Sequence, residues 1–183
     1  MRLFIGVPLQ AKVVDELTAI CHRLRSERDG LRWSSPDSWH FTLQFLGETS
    51  EERYRCLVPR LRDLRSPGVP VQLEGLDCFD RAGVFFAGVD VSPQLADLQR
   101  LVTAATSRCG FVPEARPYHP HVTLARVKGG GKRSQSLRDL KDKVSRVPRF
   151  ATFVAEEFLL YEAFLSPSGS RYEVRERFGL ARA

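Results

Sequence analysis

Two stretches decide the fold of this chain, and the first is Trp39-His40-Phe41-Thr42-Leu43-Gln44-Phe45. Its pattern is typical of a strand, in which successive side chains point to opposite faces of the sheet. One face then carries the polar side chains of His40, Thr42 and Gln44. The other face, which we expect to pack against the core, carries Phe41, Leu43 and Phe45.

The second stretch is His121-Val122-Thr123-Leu124-Ala125, and it repeats the arrangement of the first. Strand alternation places His121 and Thr123 on one face, with Val122 and Leu124 in the core. Each strand therefore presents an imidazole and a hydroxyl side by side.

The repeat extends beyond these two strands. Leu17 and Leu98 are separated by the same number of residues as His40 and His121. Phe4-Ile5-Gly6-Val7 resembles Phe86-Ala87-Gly88-Val89, and this separation differs from the other two by a single position. A strand, a helix and a His-x-Thr-Leu strand thus recur at a nearly constant offset, which favours duplication with a pseudo-two-fold axis.

Hydrophobic periodicity along the chain predicts helices interspersed with strands. The predicted helices cover Ala11–Arg25, Glu51–Leu64, Ser92–Ser107 and Gln135–Val144, with Pro59 able to kink or split the second. The predicted strands cover Arg2–Pro8, Ser38–Leu46, Val69–Phe79, Gly83–Val91, His119–Val127, Ala151–Leu165 and Tyr172–Phe178.

The composition is that of a soluble globular protein with an excess of positive charge. The 183 residues are 43% hydrophobic and 27% charged, with a net charge of +6. That charge favours a polyanionic partner, although a merely soluble basic surface is the plain alternative. The apolar run Leu3–Val7 ends at Pro8, too short for a signal-peptide core, and no window is long enough to span a membrane. We therefore expect a cytoplasmic protein without membrane contact.

The four cysteines are widely scattered, at Cys21, Cys56, Cys78 and Cys109. They contain no Cys-x-x-Cys pair. In a cytosolic protein such cysteines are expected to be reduced and structural.

The paired motifs suggest acid–base chemistry on a phosphate. If the repeats face each other across the pseudo-two-fold axis, His40 and His121 approach one cleft. Two imidazoles with pKa values near 6.5 can share the two roles, one accepting a proton and the other donating one. The hydroxyls of Thr42 and Thr123 can donate hydrogen bonds to phosphate oxygens. A single His-x-Thr strand would more often be structural, but two copies at matched positions favour a site.

The chain resembles the 2H phosphoesterase superfamily, named for two such motifs, and its RNA 2',3'-cyclic phosphodiesterase branch, also called 2'-5' RNA ligase-like. The resemblance covers nearly the whole chain. It is carried by Met1-Arg2-Leu3-Phe4-Ile5, Leu31-Arg32-Trp33, Trp39–Glu48, Pro120–Arg126 and Ser166–Tyr172. Many relatives have a serine where this chain reads Tyr161-Glu162-Ala163, a difference that could alter substrate preference.

The resemblance implies one α+β domain over residues 1–183, bilobal, with two antiparallel sheets enclosing a central cleft and helices outside. It implies water-driven opening of an RNA 2',3'-cyclic phosphate to a 2'-phosphate, without metal or cofactor. By analogy His40 is the proton donor and His121 the acceptor, although the repeat makes them nearly equivalent. A cleft within one chain requires no dimer, so we expect a monomer that acts on RNA or a nucleotide with a cyclic phosphate end.

Several other residues are weaker candidates. Arg126 alternates to the face opposite Thr123, but at the strand end it could reach a phosphate. His119 could join His40 and His121 in a three-histidine metal site, yet no acidic residue neighbours either motif histidine. We expect His22 to be structural. The Gly-rich basic loop Lys128–Ser134 either steers RNA by its charge or is simply mobile. The candidates for stacking on bases are Trp39, Trp33 and Tyr118.

The same residues are compatible with three other functions. ATP-independent 2'-5' RNA ligation is the same chemistry in reverse, with an RNA 5'-hydroxyl in place of water. Hydrolysis of small cyclic nucleotides is a related activity. A non-catalytic RNA-binding module is the alternative from a different class, and it would tolerate loss of either histidine.

Overall fold

The computed structural model describes residues 1–129, 135–144, 149–166 and 169–181. Within these ranges the chain forms four α-helices and ten β-strands. The helices are α1 (Ala11–Leu24), α2 (Glu51–Arg62), α3 (Pro93–Ser107) and α4 (Gln135–Lys143). The strands are β1 (Arg2–Pro8), β2 (Leu31–Trp33), β3 (His40–Glu48), β4 (Val69–Val71), β5 (Leu73–Phe79), β6 (Val84–Val89), β7 (His121–Val127), β8 (Phe153–Ala155), β9 (Glu157–Ser166) and β10 (Gly169–Gly179).

Eight strands form one antiparallel sheet in the order β10-β9-β1-β3-β7-β6-β5, with β2 paired to β7. The two halves of this sheet meet between β3 and β7, where Phe41 pairs with Val122. Strands β9-β1-β3 on one side correspond to β5-β6-β7 on the other, as the pseudo-two-fold repeat predicts. The predicted α+β fold is confirmed. The two antiparallel sheets predicted for the two lobes are joined through β3 and β7 into one large sheet, and each lobe is one half of it. A small sheet of β4 and β8 completes the fold.

The core lies between the sheet and the helices that follow its equivalent strands. Helix α1 follows β1, and helix α3 follows the equivalent strand β6. Each helix buries one apolar stripe, formed by Val13, Leu17 and Cys21 in α1 and by Leu95, Leu98 and Val102 in α3. Burying each large aliphatic side chain contributes about 1.5–3 kcal/mol, so these stripes secure the helices behind the two motif strands.

Strands β3 and β7 each contain a β-bulge just after the Thr of the motif. Along β3 the partner register shifts between Ile5 and Gly6 of β1, so that Leu43 and Gln44 are both buried. Along β7 it shifts between Phe85 and Phe86 of β6, and the neighbours Leu124 and Ala125 are both buried. A bulge adds one residue to a strand and reverses the side-chain alternation beyond it.

These bulges correct two predictions about faces. Alternation predicts Gln44 beside His40 and Thr42, but its side chain is buried and only 6% exposed. Alternation also predicts Phe45 in the core, but it is 64% exposed and faces the cleft side. The alternation holds from residue 40 to residue 43 and fails after it because of the bulge.

Several element boundaries also differ from the predictions. The segments predicted as Val69–Phe79 and Ala151–Leu165 are each divided into a short strand of the small sheet and a long strand of the large sheet. The short strand β2 was not predicted because it is only three residues long. Pro59 does not split α2, which runs through it. The Gly-rich loop falls largely outside the described residues, because residues 130–134 are not among them.

The prediction of four reduced cysteines is wrong for two of them. Cys56 on α2 and Cys109 just beyond α3 form a disulfide, with their Cα atoms 5.8 Å apart. Packing of α2 against α3 brings the two residues together across 53 residues of sequence. Cys21 and Cys78 are free and buried, as expected. No helix among the described residues is long and apolar enough to cross a membrane.

Candidate active site

The two motif strands line one cleft of about 590 Å³. His40 and Thr42 enter it from β3, and His121 and Thr123 enter it from β7. Antiparallel pairing of the two strands at Phe41 and Val122 is what brings the imidazoles and hydroxyls to a common face. The structure thus gathers the four principal residues predicted from the sequence.

Each imidazole is held in the same way. The Nδ1 atom of His40 lies 2.8 Å from the carbonyl oxygen of Ser38, and that of His121 lies 2.9 Å from the carbonyl oxygen of His119. A carbonyl oxygen only accepts hydrogen bonds, so Nδ1 carries the proton and donates in both cases. This leaves Nε2 of each ring as the atom that can accept or release a proton.

His40 lies in an aromatic shell from three strands. The ring of Phe4 stacks on the imidazole with centroids 4.7 Å apart. Tyr161 lies 5.2 Å away, and Tyr172 meets the imidazole edge-on at 5.1 Å. Gly6 leaves room for this arrangement, because a Cβ atom there would lie 3.2 Å from Cδ2 of His40. The shell fixes the ring and excludes water from its faces.

His121 has a related but more open environment. Phe79 meets its imidazole edge-on at 4.9 Å, and Phe86 lies 5.3 Å away. Phe86 occupies the repeat position of Phe4, so the two halves place equivalent aromatic rings against equivalent histidines. The repeat at Phe4 and Phe86 is visible in the sequence, but its role beside the imidazoles was not predicted.

Burial lowers the pKa of both histidines. Removal from water disfavours the imidazolium form, and for His40 it lowers the pKa to about 4, with the nearby His121 adding to the effect. The pKa of His121 is also lowered, first by burial and then by the positive charges of its neighbours, including Arg126. Both rings are therefore mainly neutral at pH 7 in the free protein.

The cleft is positively charged. Three arginines line it, namely Arg2, Arg32 and Arg126, and none of the described lining residues is acidic. The bulge in β7 turns Arg126 to the same face as Thr123, where ideal alternation would have placed it on the opposite face. Arg2 and Arg32 were not predicted as site residues. An anion such as a phosphate diester is the ligand that this charge distribution favours.

The three aromatic residues predicted as stacking candidates lie in different environments. Trp33 lines the cleft, and its indole N–H donates to the carboxylate of Asp29 at 2.7 Å. Trp39 is only 6% exposed and belongs to the core, so it cannot stack on a ligand. The hydroxyl of Tyr118 donates to the backbone carbonyl of Thr42 at 3.2 Å, which makes it a support of the motif strand. Ala163, the position at which the resemblance implies a serine in many relatives, lines the cleft.

The histidines outside the motifs do not build a metal site. The rings of His119 and His121 are 6.4 Å apart, and His119 packs edge-on against Phe79. Across the part of the chain that the structure describes, no group of three or more His, Cys, Asp and Glu side chains is arranged to hold a metal ion. His22 is exposed in the last turn of α1 and does not line the cleft.

The fold and the site together define a phosphoesterase of the two-histidine class. A sequence model of the 2'-5' RNA ligase superfamily matches residues 8–163. The RNA 2',3'-cyclic phosphodiesterase of Methanothermobacter thermautotrophicus is 30% identical over 98% of this chain and 99% of its own. The enzyme of the same name from Escherichia coli is 27% identical over 98% and 96%.

Solved structures agree with these matches. E. coli LigT, crystallised with 3'-AMP, superposes with a TM-score of 0.79 at 26% identity, covering 98% of this chain and 97% of its own. The protein TT0787 of Thermus thermophilus gives a TM-score of 0.75 at 29% identity, covering 98% and 97%. The chain belongs to the 2'-5' RNA ligase superfamily, and the resemblance to 2H phosphoesterases is confirmed.

Proposed function

We propose that this protein is an enzyme that hydrolyses the 2',3'-cyclic phosphate at an RNA end to a 2'-phosphate. The observation that carries the proposal is the pair of imidazoles in one cationic cleft, each with Nδ1 bound to a carbonyl and Nε2 available. The names of relatives that match nearly the whole chain support the same substrate.

In the proposed mechanism His121 is the base and His40 is the acid. Neutral His121 accepts a proton from water at Nε2 as the water oxygen attacks phosphorus. The P–O3' bond breaks, and protonated His40 donates its proton to O3'. The positive charge of Arg126 favours neutral His121, which suits a base. Burial keeps His40 mainly neutral in the free enzyme, and the negative charge of the bound phosphate favours its imidazolium form when the substrate is in place.

The phosphate is held by side chains alone in this proposal. The hydroxyls of Thr42 and Thr123 donate to its non-bridging oxygens, and Arg126 pairs with its negative charge. These groups supply the charge stabilisation that a metal ion supplies in other phosphoesterases. No cofactor is invoked. Because both histidines come from one chain, the proposed enzyme acts as a monomer. A location in the cytoplasm is also part of the proposal.

Two related activities use the same groups. Ligation through a 2'-5' linkage reverses the reaction, with an RNA 5'-hydroxyl as nucleophile and O3' as the group that regains its proton. Small cyclic nucleotides present the same cyclic phosphate without the longer strand. The RNA-binding module without catalysis is disfavoured, because both histidines are intact and their Nε2 atoms have no carbonyl partner among the described residues.

The proposal is tested on a short RNA ending in a 2',3'-cyclic phosphate, incubated with the purified protein and EDTA. We expect a 2'-phosphate product. It is recognised by its difference from a 3'-phosphate standard and by its conversion by phosphatase to an end with two hydroxyls. A 3'-phosphate product would contradict the assignment of O3' as the leaving group. Absence of turnover together with tight RNA binding would favour the non-catalytic module.

Arg126 is expected to bind the scissile phosphate. Arg126→Ala should lower kcat/KM by roughly 10- to 150-fold, the value of a hydrogen bond to a charged group. It should also reduce the magnitude of the slope of log kcat/KM against log salt concentration by about one, because one contact with a phosphate is lost. Arg100→Ala, which removes an exposed arginine paired with Asp97 outside the cleft, is the matched control and should do neither. Equal losses in the two variants would contradict a local role.

The pH profile follows from the lowered pKa values. For kcat/KM, which reports the free enzyme, one histidine must be protonated and the other neutral, so activity is greatest between the two pKa values. One lies at about 4 and the other below 6.5, so the maximum should fall below pH 6.5. Arg126→Ala removes a charge that lowers the pKa of His121 and should move the alkaline limb upward. A plateau of wild-type kcat/KM extending above pH 7 would contradict this account.

A further inference from the structure

The Cys56–Cys109 disulfide joins two sulfur atoms that lie in unlike surroundings. Cys56 is half-buried on α2, whereas Cys109 is buried in the core just beyond α3. A reagent in solution therefore reaches the sulfur of Cys56 more readily than that of Cys109. Because exchange between thiols and disulfides depends on access and on the charge around each sulfur, we expect the two cysteines to react differently.

A guanidinium group contacts the sulfur of Cys56. The Nε atom of Arg60, one turn later on α2, donates a hydrogen bond to Sγ of Cys56 at 3.5 Å. A disulfide sulfur is only a weak acceptor, but a thiolate at the same place carries a full negative charge. The donor therefore lies where negative charge develops when the S–S bond breaks. A neighbouring arginine favours the thiolate form of a cysteine over the thiol.

The charged residues around Cys56 are mostly cationic. Those one turn away on the same face of α2 are Glu52, Arg53 and Arg60. The guanidinium of Arg53 lies over the ring of Phe111, with Cζ 5.3 Å from the ring centroid. One arginine thus precedes the disulfide along the helix and another follows it, and both favour negative charge at Cys56.

Cys109 has the opposite electrostatic environment. Its backbone N–H donates to the carbonyl oxygen of Thr106 at 2.8 Å, so it lies directly at the carboxyl end of α3. The partial negative charge of a helix end disfavours a thiolate there, and burial disfavours it further. The charged residue beside it, Arg108, is exposed to solvent, which screens its charge.

The two free cysteines provide a contrast within the same chain. Burial raises the pKa of the Cys21 thiol to about 12 and that of the Cys78 thiol to about 11. Both remain protonated at neutral pH, and both are buried away from reagents. Of the four cysteines, Cys56 is therefore the one that combines access with a hydrogen bond from a cation.

We propose that Cys56 is the nucleophilic cysteine of a reversible thiolation site, with Cys109 as the resolving cysteine and small thiols as the reactants. To open the site, a small thiolate attacks Sγ of Cys56, the S–S bond breaks, and Cys109 leaves as a thiolate that takes up a proton. A second small thiolate attacks the small-thiol sulfur of this mixed disulfide and releases the Cys56 thiolate beside Arg60. Two small thiols are thereby oxidised to one disulfide while the protein disulfide is reduced to two thiols. Closing follows the same steps in reverse.

The site links the redox state of the surroundings to the helices behind the motif strand. In the cytoplasm proposed for this protein, permanent disulfides are rare, and those that form are usually catalytic or redox-sensing. The bond ties α2 to α3, and α3 contacts β3 through the hydrogen bond from Thr106 to Gln44. Exchange at Cys56 then makes the stability of this layer depend on the balance of small thiols and disulfides. The inference does not depend on the reaction proposed for the cleft.

The first test uses Cys109→Ser, in which Cys56 cannot close the disulfide, and follows alkylation of Cys56 by iodoacetamide well below Tm. We expect the rate to have a pH midpoint below about 8.5, the ordinary pKa of a cysteine. Adding Arg60→Ala should raise the midpoint and lower the thiolate fraction at pH 7 by roughly two- to fivefold, the effect of an exposed ion pair. Arg60→Lys keeps the charge and should keep the midpoint low. Arg55→Ala, which removes an arginine of the same helix paired with Glu51, is the matched control and should leave the midpoint unchanged.

A midpoint at or above about 8.5 in Cys109→Ser would overturn the assignment of Cys56 as nucleophile. Equal midpoints with and without Arg60→Ala would overturn the role of Arg60. Loss of packing alone would not distinguish Arg60→Lys from Arg60→Ala, so a midpoint raised equally by both would also contradict a charge effect.

The second test requires no substitution. Wild type is reduced with dithiothreitol, freed of the reductant and treated with limiting oxidised glutathione, and samples quenched in acid are analysed by mass spectrometry. We expect the first mixed disulfide on Cys56, followed by release of glutathione as the bond to Cys109 closes, with Cys21 and Cys78 unmodified. Modification of Cys109 before Cys56, or equal modification of all four cysteines, would overturn the proposal.

Discussion

His40→Ala and His121→Ala are each expected to lower kcat by about 10²- to 10⁴-fold, the range that general acid–base catalysis contributes. In each case the remaining imidazole keeps its carbonyl hydrogen bond but has no partner for the second proton transfer. Single-turnover measurements on the cyclic phosphate substrate separate this loss from any change in binding. His22→Ala, which removes an exposed histidine of α1, is the matched control and should retain wild-type kcat.

The double variant gives a second readout. Because the two imidazoles act in one step, His40→Ala/His121→Ala should be little slower than either single variant. Losses that add on the logarithmic scale would indicate two independent contributions and would contradict a concerted pair. Retention of more than a tenth of wild-type kcat in either single variant would remove that histidine from the mechanism.

Loss of the Cys56–Cys109 disulfide is expected to have the largest effect on stability. The bond closes a loop of 53 residues, and the loop-closure entropy lost from the unfolded chain corresponds to about 4 kcal/mol. Cys56→Ser should therefore lower Tm by roughly 10 °C for a chain of this size. Thermal unfolding with and without dithiothreitol measures the effect.

The variants themselves provide the controls for this prediction. Cys56→Ser, Cys109→Ser and the double variant should share one Tm, and dithiothreitol should lower the Tm of wild type alone. A wild-type Tm that does not respond to the reductant would contradict a contribution of the disulfide. Strand β3 should keep its place at low temperature, because Thr106 of α3 still donates a hydrogen bond to Gln44 of β3 after reduction.

The residues to which we assign the chemistry were the ones that the sequence predicted best. His40, Thr42, His121 and Thr123 precede the bulges, so simple alternation assigned their faces correctly. The internal repeat then placed them opposite one another. Phe45 and Arg126 follow the bulges, and alternation assigned both to the wrong face. A bulge depends on the register with a partner strand, which a pattern within one strand does not contain.

Contacts between residues far apart in the sequence are the other features that the sequence could not predict. The Cys56–Cys109 pair joins two helices of different halves, and no spacing in the sequence connects them. The aromatic shell of His40 draws Phe4, Tyr161 and Tyr172 from three different strands. Only Phe4 had a sequence signal, its match to Phe86 in the repeat. The lowered pKa of His40 depends on this shell and so required the structure.

The central claim is that His40 and His121 exchange protons with opposite sides of one phosphate, and sulfur substitution tests it most directly. A substrate with sulfur in place of the 3' oxygen breaks a P–S bond, and the thiolate leaves without a proton. On this substrate we expect His40→Ala to recover a rate close to that of wild type, while His121→Ala remains impaired because water must still lose its proton. Recovery of His121→Ala instead would reverse the two roles. Recovery of neither variant would contradict the paired acid–base mechanism.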